Sequence, residues 1–280
     1  TQKKFGSSEK WKITANGPIR SNNEYDGEVY DARKDLGKWN CVGYDDSSWQ
    51  TAERATLPLG ELHGQTAPNM TVAHHIKPVS IKKTGRGTFI VDFGQNMAGW
   101  VQMNMRGNAG DTIKIKYAER LDEKGDLYIK NIRDAETEDR YICSGKENGA
   151  PWHSIFSYHG FRFVEVKGMK DLAASDLEAQ TVTDKLEFIG NFSTSNDVLN
   201  RVYSNAWWGI YSNYKSFPID CPQRNERQPW LGDHTVGCLG ESFLFGNERL
   251  YSKWMRDIYE TQRYDGVLCD VAPAYWTYYN

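Results

Sequence analysis

The sequence predicts a multidomain chain in which two β-sandwich-like units precede a helical unit. Three observations predict it. Residues 1–75 set Trp11, Trp39 and Trp49 among Gly, Asn, Asp and Ser, a composition of short strands and turns. Residues 76–185 hold runs in which apolar and polar residues alternate with a period of two. From 186 to 280 the apolar spacing changes to that of a helix. A length of 280 residues suits about two domains or slightly more.

In the first unit, residues 24–33 space apolar side chains between acids around Gly27, and residues 44–49 read as a turn entering the Trp49 anchor. In the second, residues 87–94 read as a strand running into a turn. Residues 99–107 and 111–119 alternate cleanly, and Asn108-Ala109-Gly110 between them makes a hairpin the simplest reading. Residues 156–166 form another alternating strand, and short strands divided by turns suggest a sandwich. In the third unit, Ser195 suits a helix N-cap, and Val198, Leu199, Val202, Tyr203 and Ala206 follow at helical spacing. A second helix is expected from Asp233 through Val236, Leu239, Gly240 and Phe243. Gly246-Asn247 breaks it, and Leu250, Trp254, Ile258 and Tyr259 mark one face of a third.

Composition narrows the function. A formal charge of -3, with Lys+Arg 34 against Asp+Glu 37, points to neither nucleic acid nor an anionic membrane surface. No apolar run approaches the roughly 20 residues that span a bilayer. No signal peptide is visible at Thr1, which leaves a mature, cytoplasmic or N-terminally trimmed chain. Five widely spaced cysteines without a CxxC pair argue for buried or half-buried free thiols rather than a disulfide framework or zinc site. His74, His75, His153, His159 and His234 lack metal spacing, and no Gly-x-Ser-x-Gly elbow accompanies them; they read as structural.

The most informative stretch is Asp220-Cys221-Pro222-Gln223-Arg224-Asn225-Glu226-Arg227-Gln228-Pro229-Trp230-Leu231-Gly232-Asp233. Pro222, Pro229 and Gly232 forbid a continuous helix. A stiffened loop of acids, arginines and a Trp suits sugar binding: the indole packs on a ring face, carboxylates and Arg bind hydroxyls, and one carboxyl acts as a general acid. The competing reading is a surface loop of structural ion pairs.

This stretch resembles the catalytic-loop signature of bacterial α-L-rhamnosidases, glycoside hydrolase family seventy-eight. The resemblance holds at Asp220, Cys221, Pro222, Gln223, Arg224, Glu226, Arg227, Trp230, Gly232 and Asp233. It departs at Asn225, where Asp is usual, and at Gln228-Pro229, where Leu-Gly is usual. Residues 25–33 with 45–49 resemble the family's N-terminal β-domain, residues 93–100 and 158–163 its middle sandwich, and residues 265–276 a run that lines its active site. The resemblance covers essentially the whole chain.

It implies the start of an (α/α)6 catalytic toroid, truncated at Asn280, with the missing C-terminal part of the catalytic domain as the structural partner. It also implies removal of terminal α-L-rhamnose from an oligosaccharide or glycoside with inversion. Glu226 is then the general acid, and the general base lies beyond this chain, so that the 280 residues alone are inactive. Asp220 and Asp233 bind sugar hydroxyls, Arg224 orients a carboxylate or hydroxyl, and Trp230 packs on the sugar. Asp270 and Trp276 are further candidates for the same pocket. Arg224 and Arg227 flank Glu226, with Pro229 and Trp230 as shields. No cofactor is expected for catalysis. Calcium at Asp26, Glu28 and Asp31 is conceivable in principle, against solvation or pairing with Arg33. The expected compartment is bacterial cytoplasm or periplasm. Two other readings stay open: a non-catalytic carbohydrate-binding chain, and a related toroid glycosidase with another sugar preference.

Overall fold

The computed structural model describes residues 3, 4, 6–56 and 60–273. Twelve strands are β1 (Lys12–Ile13), β2 (Ile19–Asn23), β3 (Gly27–Asp31), β4 (Gln50–Thr51), β5 (Met70–Ile76), β6 (Ser80–Lys83), β7 (Phe89–Met105), β8 (Thr112–Ala118), β9 (Glu138–Ile142), β10 (Ala150–Trp152), β11 (His159–Lys167) and β12 (Leu177–Asp184). Three helices follow: α1 (Asp197–Ser212), α2 (Leu231–Glu241) and α3 (Glu248–Glu260). None of the described helices is long and apolar enough to cross a membrane.

Ten strands form one curled sheet in the order β2-β3-β9-β8-β11-β7-β12-β5, with β6 and β10 also paired to β7. Strands from the first 75 residues therefore stand at both ends of this order. The pairing is antiparallel except between β3 and β9. The 17-residue β7 organises the sheet. Val101, Met103 and Met105 are fully buried while Gln102 and Asn104 are half-buried, the period of two that sequence showed. They pack with Ile113, Ile115, Tyr117, Phe161, Val164 and Val166 into the main core.

Two expectations about β7 are corrected. Residues 87–94 do not end in a turn; the strand runs on through a bulge. Phe163 of β11 faces Asp92 and Phe161 faces Met97, so residues 93–96 stand out of register, with Gly94 at φ +75°. Nor do residues 99–107 and 111–119 pair as a hairpin. β11 lies between β7 and β8, and Gly110 instead donates to the Cys143 carbonyl at 2.8 Å. A strand that arrives 40 residues later is a better partner for both, and local turn chemistry cannot foretell it.

The helical part departs in detail. The N-cap of α1 is Asn196 rather than Ser195: its Oδ1 accepts from Val198 N at 2.9 Å and Leu199 N at 3.2 Å. The predicted stripe Val198, Leu199, Val202 is exposed, and α1 packs instead through Trp207, Trp208 and Tyr211 against Phe245. The second helix ends at Glu241, short of the expected Phe243, and Val236 and Leu239 on it and Phe243 just past it are exposed as well. On α3, Leu250, Trp254 and Ile258 are buried as the spacing implied, but Tyr259, turned 100° further around the axis, is exposed. Cys143, Cys221 and Cys269 are buried free thiols and Cys238 is half-buried, whereas Cys41 is exposed on an irregular segment.

The sheet and helices are joined through buried polar groups. Lys215, just past α1, donates to the Ser212 and Val182 carbonyls at 2.8 Å each. Asp184, at the end of β12, accepts from Ser216 N at 2.6 Å. Trp208 touches both the sheet core and the helical core.

Candidate active site

The segment between α1 and α2 is a closed loop. Asp220 N–H donates to the Gln228 carbonyl at 2.9 Å, and Gln228 N–H donates back to Asp220 Oδ1 at 2.6 Å. Gln228 Nε2 also donates to the Glu226 carbonyl at 2.9 Å. These bonds cross-brace residues 220–228, a run that Pro222 and the following Pro229 keep from continuing as a helix into α2. At the far end Leu231 N–H, one of the unpaired donors at the start of α2, donates to the Asp270 carbonyl at 2.9 Å. An isolated bridge between Trp230 and Val271 lies beside it.

The sheet grips this loop. Arg227 is 2 % exposed and has a positive φ of 53°. Its guanidinium turns away from Glu226, donates to the carbonyls of Tyr158 (2.8 Å) and Glu24, and lies 4.7 Å from the Tyr158 ring centroid. The Tyr25 hydroxyl donates to the Glu226 carbonyl at 3.2 Å. Gly160 of β11 lies directly beneath Gln223; a Cβ there would stand 2.7 Å from Gln223 Cβ.

Glu226 is the point where these parts converge. Its carboxylate Oε2 is 2.9 Å from Arg224 Nη2 and 2.9 Å from Arg133 Nη2, and Oε1 accepts from the Trp230 indole N–H at 3.1 Å. Arg224 reaches Asp220 Oδ2 as well, at 3.3 Å. The expected neighbour Arg227 is thus replaced by Arg133, which follows the short 3-10 turn Lys130–Ile132 in the sheet unit at φ +57°. Trp230 does more than shield: it donates a hydrogen bond to the acid. Nothing local marks Arg133, because its role depends on a contact 93 residues away.

Among the predicted sugar ligands, Asp220, Arg224, Glu226 and Trp230 come together. Asp220 spends Oδ1 on closing its own loop. Asp233 is exposed in the first turn of α2, at the favourable positive end of the helix, with two intervening residues between it and Trp230. Asp270 is half-buried beside the start of α2. Trp276 lies outside the described residues.

Among the described residues, Asp220, Cys221 and Glu226 bring one ligand atom each within 4.8 Å of one another. Two guanidiniums already face these carboxylates, and burial pushes the Cys221 thiol up to about 11, where it keeps its proton. Asp26, Glu28 and Asp31 serve separate networks: Asp26 accepts from Glu136 N, Glu28 from Ile155 N, and Asp31 from Arg33 at 2.8 Å twice. Burial raises the pKa of the Glu28 carboxyl, and the hydrogen bonds from Arg33 lower that of Asp31. Two of the histidines make packing contacts. His159, fully buried, meets Asp139 at 3.2 Å and stacks on Tyr117, and His234 packs edge-on to Trp254.

The loop and its surroundings match known proteins along their whole length. The N-terminal domain model of α-L-rhamnosidases matches residues 1–74, the bacterial α-L-rhamnosidase concanavalin-like domain 82–183, and its six-hairpin glycosidase domain 187–280. The chain belongs to the bacterial α-L-rhamnosidase family. Within it, an α-L-rhamnosidase of Streptomyces avermitilis is 33% identical over 276 residues, 98% of this chain and 27% of that protein. One from Formosa agariphila is 34% identical over 264 residues, again 27% of its length. The solved α-L-rhamnosidase of Dictyoglumus thermophilum superposes with a TM-score of 0.94 at 38% identity, covering 97% of this chain and 31% of that one. The Streptomyces avermitilis enzyme complexed with L-rhamnose gives 0.93 at 32%, covering 96% and 26%. The family's three domain types follow one another here, with three helices of the six-hairpin domain among the described residues.

Proposed function

We propose that this chain carries the acid half of an α-L-rhamnosidase that removes terminal α-L-rhamnose with inversion. One observation carries the reading. In the loop that matches the family, a single carboxyl, Glu226, is gripped by side chains from both units, on Oε2 by Arg133 and Arg224 and on Oε1 by Trp230. The three contacts fix where the carboxyl points, which an acid needs if it is to meet a glycosidic oxygen.

The same contacts dictate what the substrate has to do. With Oε1 taken by the indole N–H, Oε2 is the oxygen left to deliver a proton, and two guanidiniums stand in front of it. The glycosidic oxygen must displace at least one. Arg224 is also held by Asp220, whereas the Arg133 side chain is 51 % exposed and is the freer to swing aside. Trp230 presents the apolar wall that suits the methyl group of a 6-deoxy sugar. The base that activates water on the opposite face, roughly 6.5–9.5 Å from the acid in an inverting pair, is assigned to a Glu in the later part of the six-hairpin domain. The chain spans 27% of the relatives named above, so hydrolysis belongs to the longer protein.

The test is Glu226→Gln in a form that contains the whole six-hairpin domain, assayed on an aryl α-L-rhamnoside and on a rhamnosyl disaccharide. We expect the disaccharide, whose leaving group needs a proton, to lose at least about 100-fold in kcat. Proton NMR of fresh product should show β-L-rhamnose first. Near-normal turnover of the disaccharide removes Glu226 as the acid, and α-L-rhamnose as first product removes inversion.

A further inference from the structure

The loop that carries Glu226 is pinned to the sheet at both of its ends, and both pins meet at one buried amine. Lys215 is 6 % exposed and precedes Asp220 in the turn that follows α1. We propose that Lys215 is a positioning residue for the acid: its ammonium holds the two ends of the loop against the sheet and so fixes where the Glu226 carboxyl points. The inference rests on the rhamnosidase reading and adds to it a residue that acts through the loop.

Three features carry it. First, the amine is matched to its surroundings. Nζ donates to the Val182 carbonyl of β12 and the Ser212 carbonyl of α1 at 2.8 Å each, and to the Tyr214 carbonyl at 3.4 Å. An ammonium has three N–H donors and no acceptor, and the three carbonyls use all three. Second, the entry to the loop hangs on it. Lys215 N–H donates to the Phe217 carbonyl at 3.0 Å and Ile219 N–H to the Asn213 carbonyl at 2.9 Å, so residues 213–219 form a tight turn that delivers the chain to Asp220. Ser216 stands in this turn at φ +66°, its N–H bonded to Asp184 of β12 at 2.6 Å. Third, the exit from the loop is tied to the same point. Lys215 Nζ lies 5.1 Å from the Tyr158 ring centroid, and the Arg227 guanidinium lies 4.7 Å from the same centroid. Arg227 also donates to the Tyr158 carbonyl at 2.8 Å and is next in sequence to Glu226. The reciprocal Asp220–Gln228 bonds brace the residues between, so a shift at either pin passes to Glu226. Two charges act on the amine. Burial pushes it down to about 7 from an ordinary 10.5, with the Asp184 carboxyl opposing the fall and the Arg227 guanidinium adding to it. Below that value the amine carries its proton.

The experiment uses the full-length protein under mildly acidic conditions, with Lys215→Met, which keeps the chain length and removes the donors, and Glu226→Gln as benchmark. Turnover of a rhamnosyl-glucose disaccharide, whose leaving group needs a proton, is set against that of dinitrophenyl α-L-rhamnoside, whose leaving group departs without one. A misplaced acid should lower kcat for the disaccharide by about tenfold or more and leave the dinitrophenyl substrate within about twofold, the selective loss that Glu226→Gln shows in larger measure. A general loosening of the fold lowers both alike. An unchanged ratio of the two, whether both fall together or neither moves, overturns the assignment. Should Lys215→Met fail to fold, Tyr158→Leu removes the shared ring, keeps the carbonyl that Arg227 uses, and carries the same comparison with the same two outcomes. Hydrogen exchange read by mass spectrometry is independent of turnover: the amides of 216–231 should exchange at least about tenfold faster in Lys215→Met than in the parent, with β7 and β11 unaltered. If the parent cleaves neither rhamnoside, the rhamnosidase reading fails by itself; equal exchange then overturns the role of Lys215 too, and faster exchange keeps it as the anchor of the loop.

Discussion

Replacing Gly160 by Ala should strike the candidate active site from a strand of the other unit. The backbone at Gly160 is ordinary extended β11, facing Ala98 of β7, so the glycine is not required for its own conformation. It is required for approach. A Cβ would meet Gln223 Cβ at 2.7 Å and Gln223 N and Cα at 3.0 Å, whereas carbon atoms in good contact lie about 3.5–4.0 Å apart. The loop must therefore retreat by roughly 0.5–1 Å. It cannot absorb this locally, because Pro222 stiffens it and the reciprocal Asp220–Gln228 bonds brace it. The displacement passes to Arg224 and Glu226, within three residues of the clash. Misplacement of a catalytic group by about 1 Å costs on the order of 100-fold, and overpacking of this kind costs about 1–3 kcal/mol of stability. The assay is kcat of the full-length Gly160→Ala protein on a rhamnosyl disaccharide, with urea unfolding in parallel. Adding Gln223→Gly, which removes the closest of the three contacts, should restore part of the loss. A kcat within about twofold of the parent with unaltered unfolding would refute the claim that β11 sets the position of the acid.

Two further outcomes follow from the groups that hold sheet and helices together. Arg227→Ala removes a buried cation that donates to three carbonyls and faces two tyrosine rings, so it should cost about 3–5 kcal/mol in urea unfolding; a loss under about 1 kcal/mol would show that the anchor is dispensable. Burial lifts the Asp184 carboxyl to about 6 from an ordinary value near 3.8. The folded chain therefore binds the proton more tightly than the unfolded one, and this stability, full below pH 3.8, is lost as pH rises through about 6. The loss is about 3 kcal/mol, and Asp184→Asn should flatten it; an unfolding free energy with the same slope between pH 4 and 6 in both proteins would exclude Asp184 as its source.

Much of this molecule is readable from local chemistry. The alternation of Val101, Met103 and Met105, the spacing of Leu250, Trp254 and Ile258, and the breaks at Gly246-Asn247 follow from the periods of strand and helix and the demands of turns. The loop at 220–233 was legible both as chemistry and as resemblance, and Glu226, Asp220, Arg224 and Trp230 do meet. What local chemistry could not supply was every statement about partners. Which strands pair with β7, which apolar stripe of α1 is covered, and where the Arg227 side chain goes all depend on segments distant in sequence. Arg227 and Arg133 make the point together. A guanidinium next to a carboxylate in sequence was the natural pair, yet Arg227, with a positive φ, turns into the sheet and finds carbonyls and tyrosine faces there. Arg133, with nothing in its neighbourhood to distinguish it, crosses from the sheet to the acid. The sequence by itself determined most of the elements and the set of side chains that the loop offers. The tertiary structure alone decided which charges face Glu226, because Coulomb and packing interactions act over ångströms in space and are blind to separation along the chain.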